Sequence, residues 1–387
     1  MQTNNSDKKT ILQILPALNS GGVERGTIDI ARAIVDNGWQ SLVASAGGKM
    51  INQVKSVGAT HIELPLATKN PFKILKNKRR IIDIIKKYNV DIVHARSRAP
   101  AWSCYLACKE LSEQNHPVKF ITTFHGTYKN QNPLKKLYNS VMVKSIHVIA
   151  VSEFIKKHII DNYGLYSKNI TVIHRGVDVE YFNSDNIKSA RTLEAASKLR
   201  LPDDVPIILL PGRITNWKGQ LFLLKSLTRL SHKNYYCLII GAYQSHMSYY
   251  NKLKKFIKKN KLQQNVRIME DVSDIATIYK MSDIIISSSL RPEAFGRIAI
   301  EGQAMGRLVI ATNHGGSCET IINNKTGWLV DVDDTKKMAD AIENAIGLTK
   351  DERKLIYNAA IENIQNNFTL KQMCDNTINL YSKILSE

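Results

Sequence analysis

The 387-residue sequence contains no apolar run that approaches the ~18 residues needed for a membrane-spanning helix. Its first residues, MQTNNSDKKTILQILPALNSGG, also lack a long apolar stretch ahead of a cleavage site, which a secretory signal would have. These absences argue against an integral membrane protein and against a secreted one. We therefore expect a cytoplasmic protein.

Cysteines are few, and none has a partner at the spacing of a zinc site. The sequence has no CxxC pair, so we expect reduced and mostly buried thiols. Asp331-Val332-Asp333 has the spacing of a metal–diphosphate motif, but it stands just before a helical stretch, and helix capping is the better interpretation. The sequence predicts no metal site. The cysteines are Cys104, Cys108, Cys237, Cys318 and Cys374.

Acidic residues are scarce, with 34 Asp and Glu against 54 Lys and Arg and a formal net charge of +20. The first 184 residues hold 26 Lys and Arg against 13 Asp and Glu. The positive electrostatic field of such a chain favours binding to nucleic acid, to anionic lipid headgroups or to a phosphorylated substrate. Biased genomic base composition is an alternative source, because the chain is rich in Lys, Ile and Asn. Zinc-finger spacing and an RRM-like aromatic run are both missing, so we expect no nucleic-acid partner.

The chain is long enough for two to three domains at about 150 residues each, and two is the simplest expectation. Apolar strand candidates alternate with helical stretches from residue 9 to 152, and a second such series runs from 207 to 346. This alternation predicts two α/β domains with doubly wound parallel sheets. We predict domains at 1–184 and 185–369, a linker at 183–206, and two helices in the tail, the last over about 370–387.

Two loops between a strand and a helix carry candidate ligand-binding residues. In GGVER, Gly21 and Gly22 allow a ligand to approach the backbone at a helix N-terminus, although a tight turn needs glycines in any case. In PGRITNWKG, Arg213 and Lys218 follow the first strand of the second series and could clamp a diphosphate. The alternative is a basic pair that is only solvated.

The segment RPEAFGRIAIE combines two glutamates with a glycine at a helix start. Glu293 lies in the loop after a strand, Gly296 stands near the next helix start, and Glu301 lies within that helix. A carboxylate on an apolar helix face is costly unless it is hydrogen-bonded, and sugar hydroxyls would serve, although capping and a solvent-facing Glu would also explain the pair. His125, in TFHG at another strand end, could contact a sugar hydroxyl or satisfy a buried turn. HRGVD (174–178) is explained as well by a structural turn.

The stretch PFKILKNKRRIIDIIKKY (71–88) predicts a basic amphipathic helix, with seven Lys or Arg against one Asp. Such a helix suits an anionic membrane interface, and an ordinary sheet-covering helix with a charged outer face is the alternative. A second basic stretch lies at 129–144. The candidate membrane or acceptor residues are Lys73, Lys76, Lys78, Arg79 and Arg80.

Taken together, GGVER, TFHG, HRGVD, PGR…WKG, PEAFGRIAIE and the later GWLV resemble the retaining, nucleotide-sugar-dependent glycosyltransferases of the GT-B fold, group 1 or family 4. The resemblance covers nearly the whole chain, and the pair Glu293 and Glu301, with seven residues between them, is its most specific part. It implies two Rossmann-like domains facing across a cleft. The C-terminal domain would hold the donor, the N-terminal domain the acceptor, and the last helix would return to the N-terminal domain.

The resemblance also implies roles for individual residues. Arg213 and Lys218 match positions that bind the donor diphosphate, and Glu301 matches the ribose-binding glutamate. Glu293 matches the residue near the sugar hydroxyls. The backbone of Phe295 and Gly296 would lie beside sugar and phosphate, His125 near the transferred sugar, and Gly22 in a loop over the donor. The implied catalytic set is His125, Arg213, Lys218 and Glu293.

The function implied is retaining transfer of a hexose or hexosamine to a cell-envelope glycolipid or lipopolysaccharide precursor at the inner membrane face. The nucleotide-diphosphate sugar is a co-substrate, with UDP or GDP favoured over ADP, and no cofactor is expected. A metal would not be needed where Arg213, Lys218 and helix amides stabilise the leaving diphosphate. Alternatives are a GT-B sugar-nucleotide epimerase, a transferase with a soluble acceptor, and a catalytically inactive membrane scaffold.

Overall fold

The computed structural model describes residues 8–19, 21–128, 132–165, 167–270 and 272–387. The chain forms two compact units. The first extends to Arg175 and includes Lys371–Glu387, and the second is Gly176–Leu370. Each unit is built on a parallel sheet, as the alternation of strands and helices predicts.

The sheet of the first unit has the strand order β3-β2-β1-β4-β5-β6-β7, with every pair parallel. All five residues of the central first strand are buried, which is typical of a parallel strand covered on both faces. Strands β2 and β3 lie on one side of β1, and β4 to β7 lie on its other side, so the strand order reverses direction beside β1. The strands are β1 Thr10–Ile14, β2 Gln40–Ser45, β3 Thr60–Glu63, β4 Ile92–Ala95, β5 Lys119–Phe124, β6 His147–Ala150 and β7 Ile170–Val172.

Six helices connect these strands along the described chain. They are α1 Gly22–Asp36, α2 Ile51–Ser56, α3 Pro71–Tyr88, α4 Arg98–Glu113, α5 Pro133–Ser140 and α6 Glu153–Tyr163. The basic helix α3 begins where the Asn70 side chain accepts hydrogen bonds from the amides of Phe72 and Lys73, at 2.9 and 3.3 Å. It ends at Asn89, whose φ of 49° leaves the helical region.

The sheet of the second unit has the order β10-β9-β8-β11-β12-β13, again with every pair parallel. Its strands are β8 Ile207–Pro211, β9 Tyr236–Ile240, β10 Val266–Met269, β11 Ile284–Ser287, β12 Leu308–Thr312 and β13 Trp328–Val330. Its helices are α7 Ser189–Leu199, α8 Gln220–Leu227, α9 Met247–Lys259, α10 Ile275–Met281, α11 Arg297–Ala304, α12 Ser317–Thr320, α13 Thr335–Gly347 and α14 Lys350–Asn367.

The linker prediction for residues 183–206 is wrong, because this segment contains α7 and is fixed to the second unit. Arg191 on α7 pairs with Asp274, with 2.6 Å between Nε and Oδ2. The Ser184 hydroxyl donates to the carbonyl of Met305 at 2.8 Å. Helix α7 buries only Leu199, although Ala190, Leu193 and Ala196 also recur at helical spacing in its sequence. The second unit accordingly begins at Gly176 in the structure.

The final helix, α15 Leu370–Ser386, contributes its residues from Lys371 onward to the first unit. Its buried face includes Thr377, Tyr381 and Ile384, which recur at helical spacing. The Tyr381 hydroxyl lies 2.7 Å from Nδ1 of His94 on β4. This helix is therefore part of the core of a unit whose other residues come from the first half of the chain.

Smaller expectations have separate outcomes. Cys104, Cys108 and Cys237 are buried and unpaired, whereas Cys318 is exposed. The cap of α13 is Asp334, which accepts from the amide of Lys337 at 2.9 Å, so neither Asp331 nor Asp333 is the capping residue. Within the described ranges, no helix combines the length and apolar character that crossing a membrane requires.

Candidate active site

The loop after β8 approaches the end of β11 closely. Gly212 and Gly219 have φ values of +133° and +73°, which favour glycine. A Cβ atom added at Gly219 would lie 1.8 Å from the carbonyl oxygen of Ser288, so no larger residue fits there. Arg213 is exposed at this loop, and Lys218 lies in a single 3₁₀ turn that precedes Gly219. The glycines thus place two basic residues at the carboxyl edge of the second sheet.

Lys218 and Glu293 form an ion pair in this loop region, with 2.7 Å between Nζ and Oε1. Their side chains are only 13% and 12% exposed. The Ser289 hydroxyl donates to the same Oε1, and the ring of Trp217 lies 4.6 Å from the ammonium. Oε2 of Glu293 has no hydrogen-bond partner in the described part of the chain. The pair therefore offers a cation for a phosphate oxygen and an acceptor for a hydroxyl.

The loop that carries Glu293 is fixed by a second glycine-containing loop. The amide of Gly316 donates to the carbonyl of Glu293 at 2.9 Å, and a Cβ at Gly315 would lie 2.5 Å from that oxygen. Gly296, with a φ of +92°, caps the N-terminus of α11. The first amides of this helix have no intrahelical acceptor, which suits them to bind an anion. The loop at Gly315 and Gly316 was not identified from the sequence, although its paired glycines were visible in HGG.

Glu301 on α11 is held from both sides. Oε1 accepts from Nη2 of Arg297 at 2.7 Å, and Oε2 accepts from the hydroxyl of Tyr279 at 2.9 Å. Burial, together with the negative charge of Glu301, raises the pKa of Tyr279, so this hydroxyl stays protonated and donates. Phe295 is 3% exposed and packs edge-to-face on Phe368, so its side chain belongs to the core. A role for the backbone of Phe295 at the site stays a prediction.

In the first unit, the structure joins His125 and Gly22 through Arg175. Nη2 of Arg175 donates to the carbonyl of Gly22 at 3.0 Å and to Nδ1 of His125 at 3.2 Å. Because a guanidinium only donates, Nδ1 is the acceptor and the neutral imidazole carries its proton on Nε2. Burial, with the charges of Arg175 and Arg96 nearby, holds the pKa of His125 well below its usual value. His125 is therefore a neutral hydrogen-bond donor.

A buried polar network lies beside His125 and was not identified from the sequence. His94 bonds Tyr381 through Nδ1 and Thr123 through Nε2, at 2.7 and 2.6 Å. Burial holds the pKa of His94 well below its usual value. Arg96 is 4% exposed and donates from Nη1 to Oε1 of Gln13 at 3.0 Å. These residues support the carboxyl ends of β4 and β5, where His125 is located.

The basic helix α3 and helix α5 together form a surface that we call the lysine-ringed patch. It comprises four exposed apolar side chains and the lysines between them. Lys69 lies 5.8 Å from the ring of Tyr138, which brings the start of α3 next to α5. Lys78 instead pairs with Glu110 on α4, while Arg79 is exposed and Arg80 half-buried. The patch residues are Phe72, Leu75, Leu134 and Leu137, exposed by 82, 49, 78 and 60%, with Lys73, Lys76, Lys135 and Lys136.

Over the described residues, no three His, Cys, Asp or Glu side chains gather in a group that could hold a metal ion. Asp331, from the motif with metal–diphosphate spacing, pairs with Lys337 at 2.6 Å between Oδ2 and Nζ. Metal independence of the reaction remains a prediction.

The two units are Rossmann-like, and each has glycine-containing loops and polar side chains at the carboxyl edge of a parallel sheet. This is the class of α/β protein that holds small polar ligands beyond its strand ends. The family description "Glycosyl transferases group 1" matches residues 192–362, and "Glycosyltransferase Family 4" matches residues 20–181. The chain belongs to the family 4, or group 1, glycosyltransferases and has the GT-B fold.

Individual relatives agree with this assignment. A glycosyltransferase of known crystal structure from Rickettsia africae is 46% identical, with a TM-score of 0.91, and the match covers 98% of this chain and 99% of that one. Anabaena Alr3699/HepE in complex with UDP and glucose has a TM-score of 0.83 at 18% identity, covering 96% and 99%. The capsular polysaccharide biosynthesis glycosyltransferase CapM of Staphylococcus aureus is 29% identical over 246 residues, and the match spans 62% of each protein.

Proposed function

We propose that this glycosyltransferase moves a hexose or hexosamine from a nucleotide-diphosphate sugar to a glycolipid or lipopolysaccharide-type acceptor, with retention of configuration. The reaction takes place at the inner face of the cytoplasmic membrane. The observation that carries the proposal is the part-buried Lys218–Glu293 pair, which combines a cation with an open carboxylate oxygen. The complex of the Anabaena protein with UDP and glucose supports a uridine donor, and the name of CapM supports a cell-envelope product.

The transfer step requires stabilisation of negative charge on the departing diphosphate. The bond between the anomeric carbon and the diphosphate oxygen breaks, and its electron pair leaves with that oxygen. The acceptor oxygen forms the new bond on the same face and gives its proton to the diphosphate. Arg213, Lys218 and the first amides of α11 stabilise the leaving group without a metal ion.

The two glutamates, Glu293 and Glu301, recognise the donor. Oε2 of Glu293 accepts a hydrogen bond from a hydroxyl of the sugar, and the carboxylate of Glu301 accepts hydrogen bonds from the ribose hydroxyls. Tyr279 and Arg297 hold the carboxylate of Glu301 in position, because both donate hydrogen bonds to it. His125, neutral and protonated on Nε2, donates to an oxygen of the transferred sugar.

The lysine-ringed patch supports a membrane-bound acceptor. Phe72 and Leu134 are 82% and 78% exposed, and exposed apolar side chains that are grouped together with polar residues around them are typical of membrane or protein interaction sites. Lysines beside such side chains bind anionic headgroups, and each contributes about 1 kcal/mol near an anionic surface. We propose that the patch inserts its apolar side chains at the interface while its lysines contact lipid phosphates.

The donor is tested with a panel of UDP-, GDP- and ADP-sugars, by thermal stabilisation of the protein and by slow hydrolysis of the sugar. One donor should raise the melting temperature and be hydrolysed. Lys218→Met and Glu301→Gln should abolish both effects, whereas Lys337→Met, which alters an exposed pair, should not. Donor effects that persist in both site variants would overturn the assignment of the site.

The membrane proposal is tested by co-sedimentation with vesicles of phosphatidylglycerol and phosphatidylcholine. A Phe72→Ser/Leu134→Ser variant should lose binding. Leu355→Ser, which replaces a leucine that is 71% exposed elsewhere, should bind like the wild type. Equal sedimentation of all three proteins would refute the patch. Donor turnover onto a soluble sugar without lipid, or epimerisation of the donor, would instead favour the alternatives of a soluble acceptor or an epimerase.

A further inference from the structure

A small cavity of about 20 Å³ lies at the carboxyl edge of the first sheet. Its wall includes Arg96 after β4, Thr123 and His125 at the end of β5, and Arg175 after β7. A space of this size holds one or two atoms of a ligand group, or a water molecule. Since ligands of open α/β sheets bind beyond strand ends, the position of this cavity points to a ligand rather than to a packing defect.

Arg96 carries a buried positive charge that forms no direct ion pair within the described residues. It is 4% exposed, and no carboxylate of the described residues lies within ion-pair distance of it. Asp29, an acidic residue close enough to influence it, pairs with Arg25 at 3.2 Å. The guanidinium donates to the neutral amide of Gln13, and its Nε has no partner. Burial of a charge without a counter-ion is costly, so such an arginine is expected where a ligand brings the negative charge.

The second unpartnered atom of the wall is Nε2 of His125. Because Arg175 donates to Nδ1, Nε2 carries the proton and is a donor. Two buried atoms without a partner thus belong to residues that line the cavity, Nε of Arg96 and Nε2 of His125, and both are N–H donors. A water molecule would satisfy two donors but would leave the charge of Arg96 uncompensated. An oxyanion satisfies both requirements.

We infer that Arg96 and Nε2 of His125 form a binding site for a carboxylate or phosphate group carried by a sugar substrate. The inference rests on the proposed transferase function and adds an acidic group to its substrates, either as a hexuronic acid in place of the neutral hexose or as a phosphate on the acceptor. The small volume admits one or two oxygen atoms of the anionic group, with the rest of the group and the sugar ring outside. The group belongs either to a uronic acid on the nucleotide donor or to a phosphate on the acceptor.

Binding is measured first, without reference to catalysis. The melting temperature of the full chain is followed with sodium phosphate and with sodium glucuronate, against sodium chloride at equal ionic strength and against neutral glucose. We expect a saturable rise with phosphate or glucuronate. Arg96→Gln should abolish the rise with glucuronate and should reduce the rise with phosphate to the part that Lys218→Met removes, and Arg96→Lys should weaken both effects. Arg32→Gln removes the same charge from an exposed position of α1 and should respond like the wild type.

Kinetics then identify the source of the anion. UDP-glucuronate is compared with UDP-glucose as donor, and a phosphorylated acceptor with its neutral counterpart. In Arg96→Gln, the KM for the acidic substrate should rise about 10- to 100-fold, as for the loss of a hydrogen bond between charged groups. The KM for the neutral substrate should not change. If Arg96 had only a structural role, Arg96→Gln would raise the KM values for the acidic and the neutral substrate alike.

Two outcomes would overturn the inference: a wild-type protein with no saturable rise in melting temperature, or an equal rise in Arg96→Gln. If Arg96→Gln does not fold, the test is a crystal structure of the wild type grown in phosphate. We expect an oxyanion bound at Nε of Arg96, and a water molecule alone at that position would refute the site. The proposed function fails separately, if no nucleotide sugar is turned over while the Arg96-dependent rise persists.

Discussion

The Lys218–Glu293 pair provides the sharpest test of the second unit, because its loss should affect stability and donor binding differently. Lys218→Met keeps most of the side-chain volume and removes the charge. Glu293 then retains only the Ser289 hydroxyl at Oε1, in a position where the carboxylate is 12% exposed. A largely buried carboxylate without its cation destabilises the folded state.

The magnitude follows from this burial. Removal of one partner from a fully buried pair costs about 3–5 kcal/mol, and the remaining exposure of this pair reduces the expected loss to about 2–3 kcal/mol. Glu293→Gln removes the stranded charge while keeping an oxygen that accepts from Ser289. The double variant Lys218→Met/Glu293→Gln should therefore regain about 1–2 kcal/mol of unfolding free energy relative to Lys218→Met.

The assay is urea denaturation of the full chain, alongside titration of the nucleotide-sugar donor. Stability should return in the double variant, whereas donor binding should stay lost. Lys337→Met is the matched control, because it removes a lysine from an exposed pair with Asp331 and should leave the urea midpoint unchanged. If Lys218→Met is as stable as the wild type, or if the double variant is no more stable than Lys218→Met, the pair is not the buried contact described above.

Three further predictions concern other positions. Tyr279→Phe removes the hydroxyl that donates to Glu301 and should raise the donor KM about tenfold with little change in kcat. Tyr235→Phe removes a hydroxyl from another buried tyrosine of the same unit and should leave the donor KM unchanged. Equal changes of KM in the two variants would contradict the role of Tyr279. Gly219→Ala should prevent folding or lower the melting temperature strongly, because its Cβ would lie 1.8 Å from the Ser288 carbonyl oxygen, whereas Gly347→Ala, with no atom within 4 Å, should be tolerated. His94 and His125 have pKa values well below 6.5 in the folded state, so the unfolded chain binds more protons than the folded chain below pH 6.5. The unfolding free energy should therefore decrease as the pH is lowered below 6.5, by up to about 1.4 kcal/mol per pH unit for each histidine. Urea denaturation at pH 7.5, 6.5 and 5.5 measures this slope, which should be shallower in His94→Gln, and a flat profile would show that the imidazoles are not buried and neutral.

The architecture could be predicted because its signals are local. The buried runs at β1 and β8 are continuous in the sequence, and the glycines at 219 and 296 mark turns whose close contacts the structure confirms. The resemblance assigned Lys218 and Glu293 to the same donor site, but their direct ion pair was not predicted, because 75 residues separate them in the sequence.

The rest depends on contacts that leave no local pattern. Tyr279 approaches Glu301 only because α10 lies beside α11, and nothing in the sequence around Tyr279 indicates a site. Arg96 resembles any basic residue after a strand until its 4% exposure and missing counter-ion are known. The exposure of Phe72 and Leu134 was equally hidden, because an amphipathic pattern does not reveal whether its apolar face has a partner.

The division of the first unit between the two ends of the chain affects synthesis on the ribosome. His94 receives its partner Tyr381 only when the last residues emerge, more than two hundred residues after Arg175. At about 5–20 residues per second, this delay lasts roughly 10–40 s. The second unit, Gly176–Leu370, is contiguous and can complete its fold first. A nascent chain that stops shortly before α15 would therefore carry a finished second unit and an unfinished first one, whose exposed core chaperones and proteases would recognise.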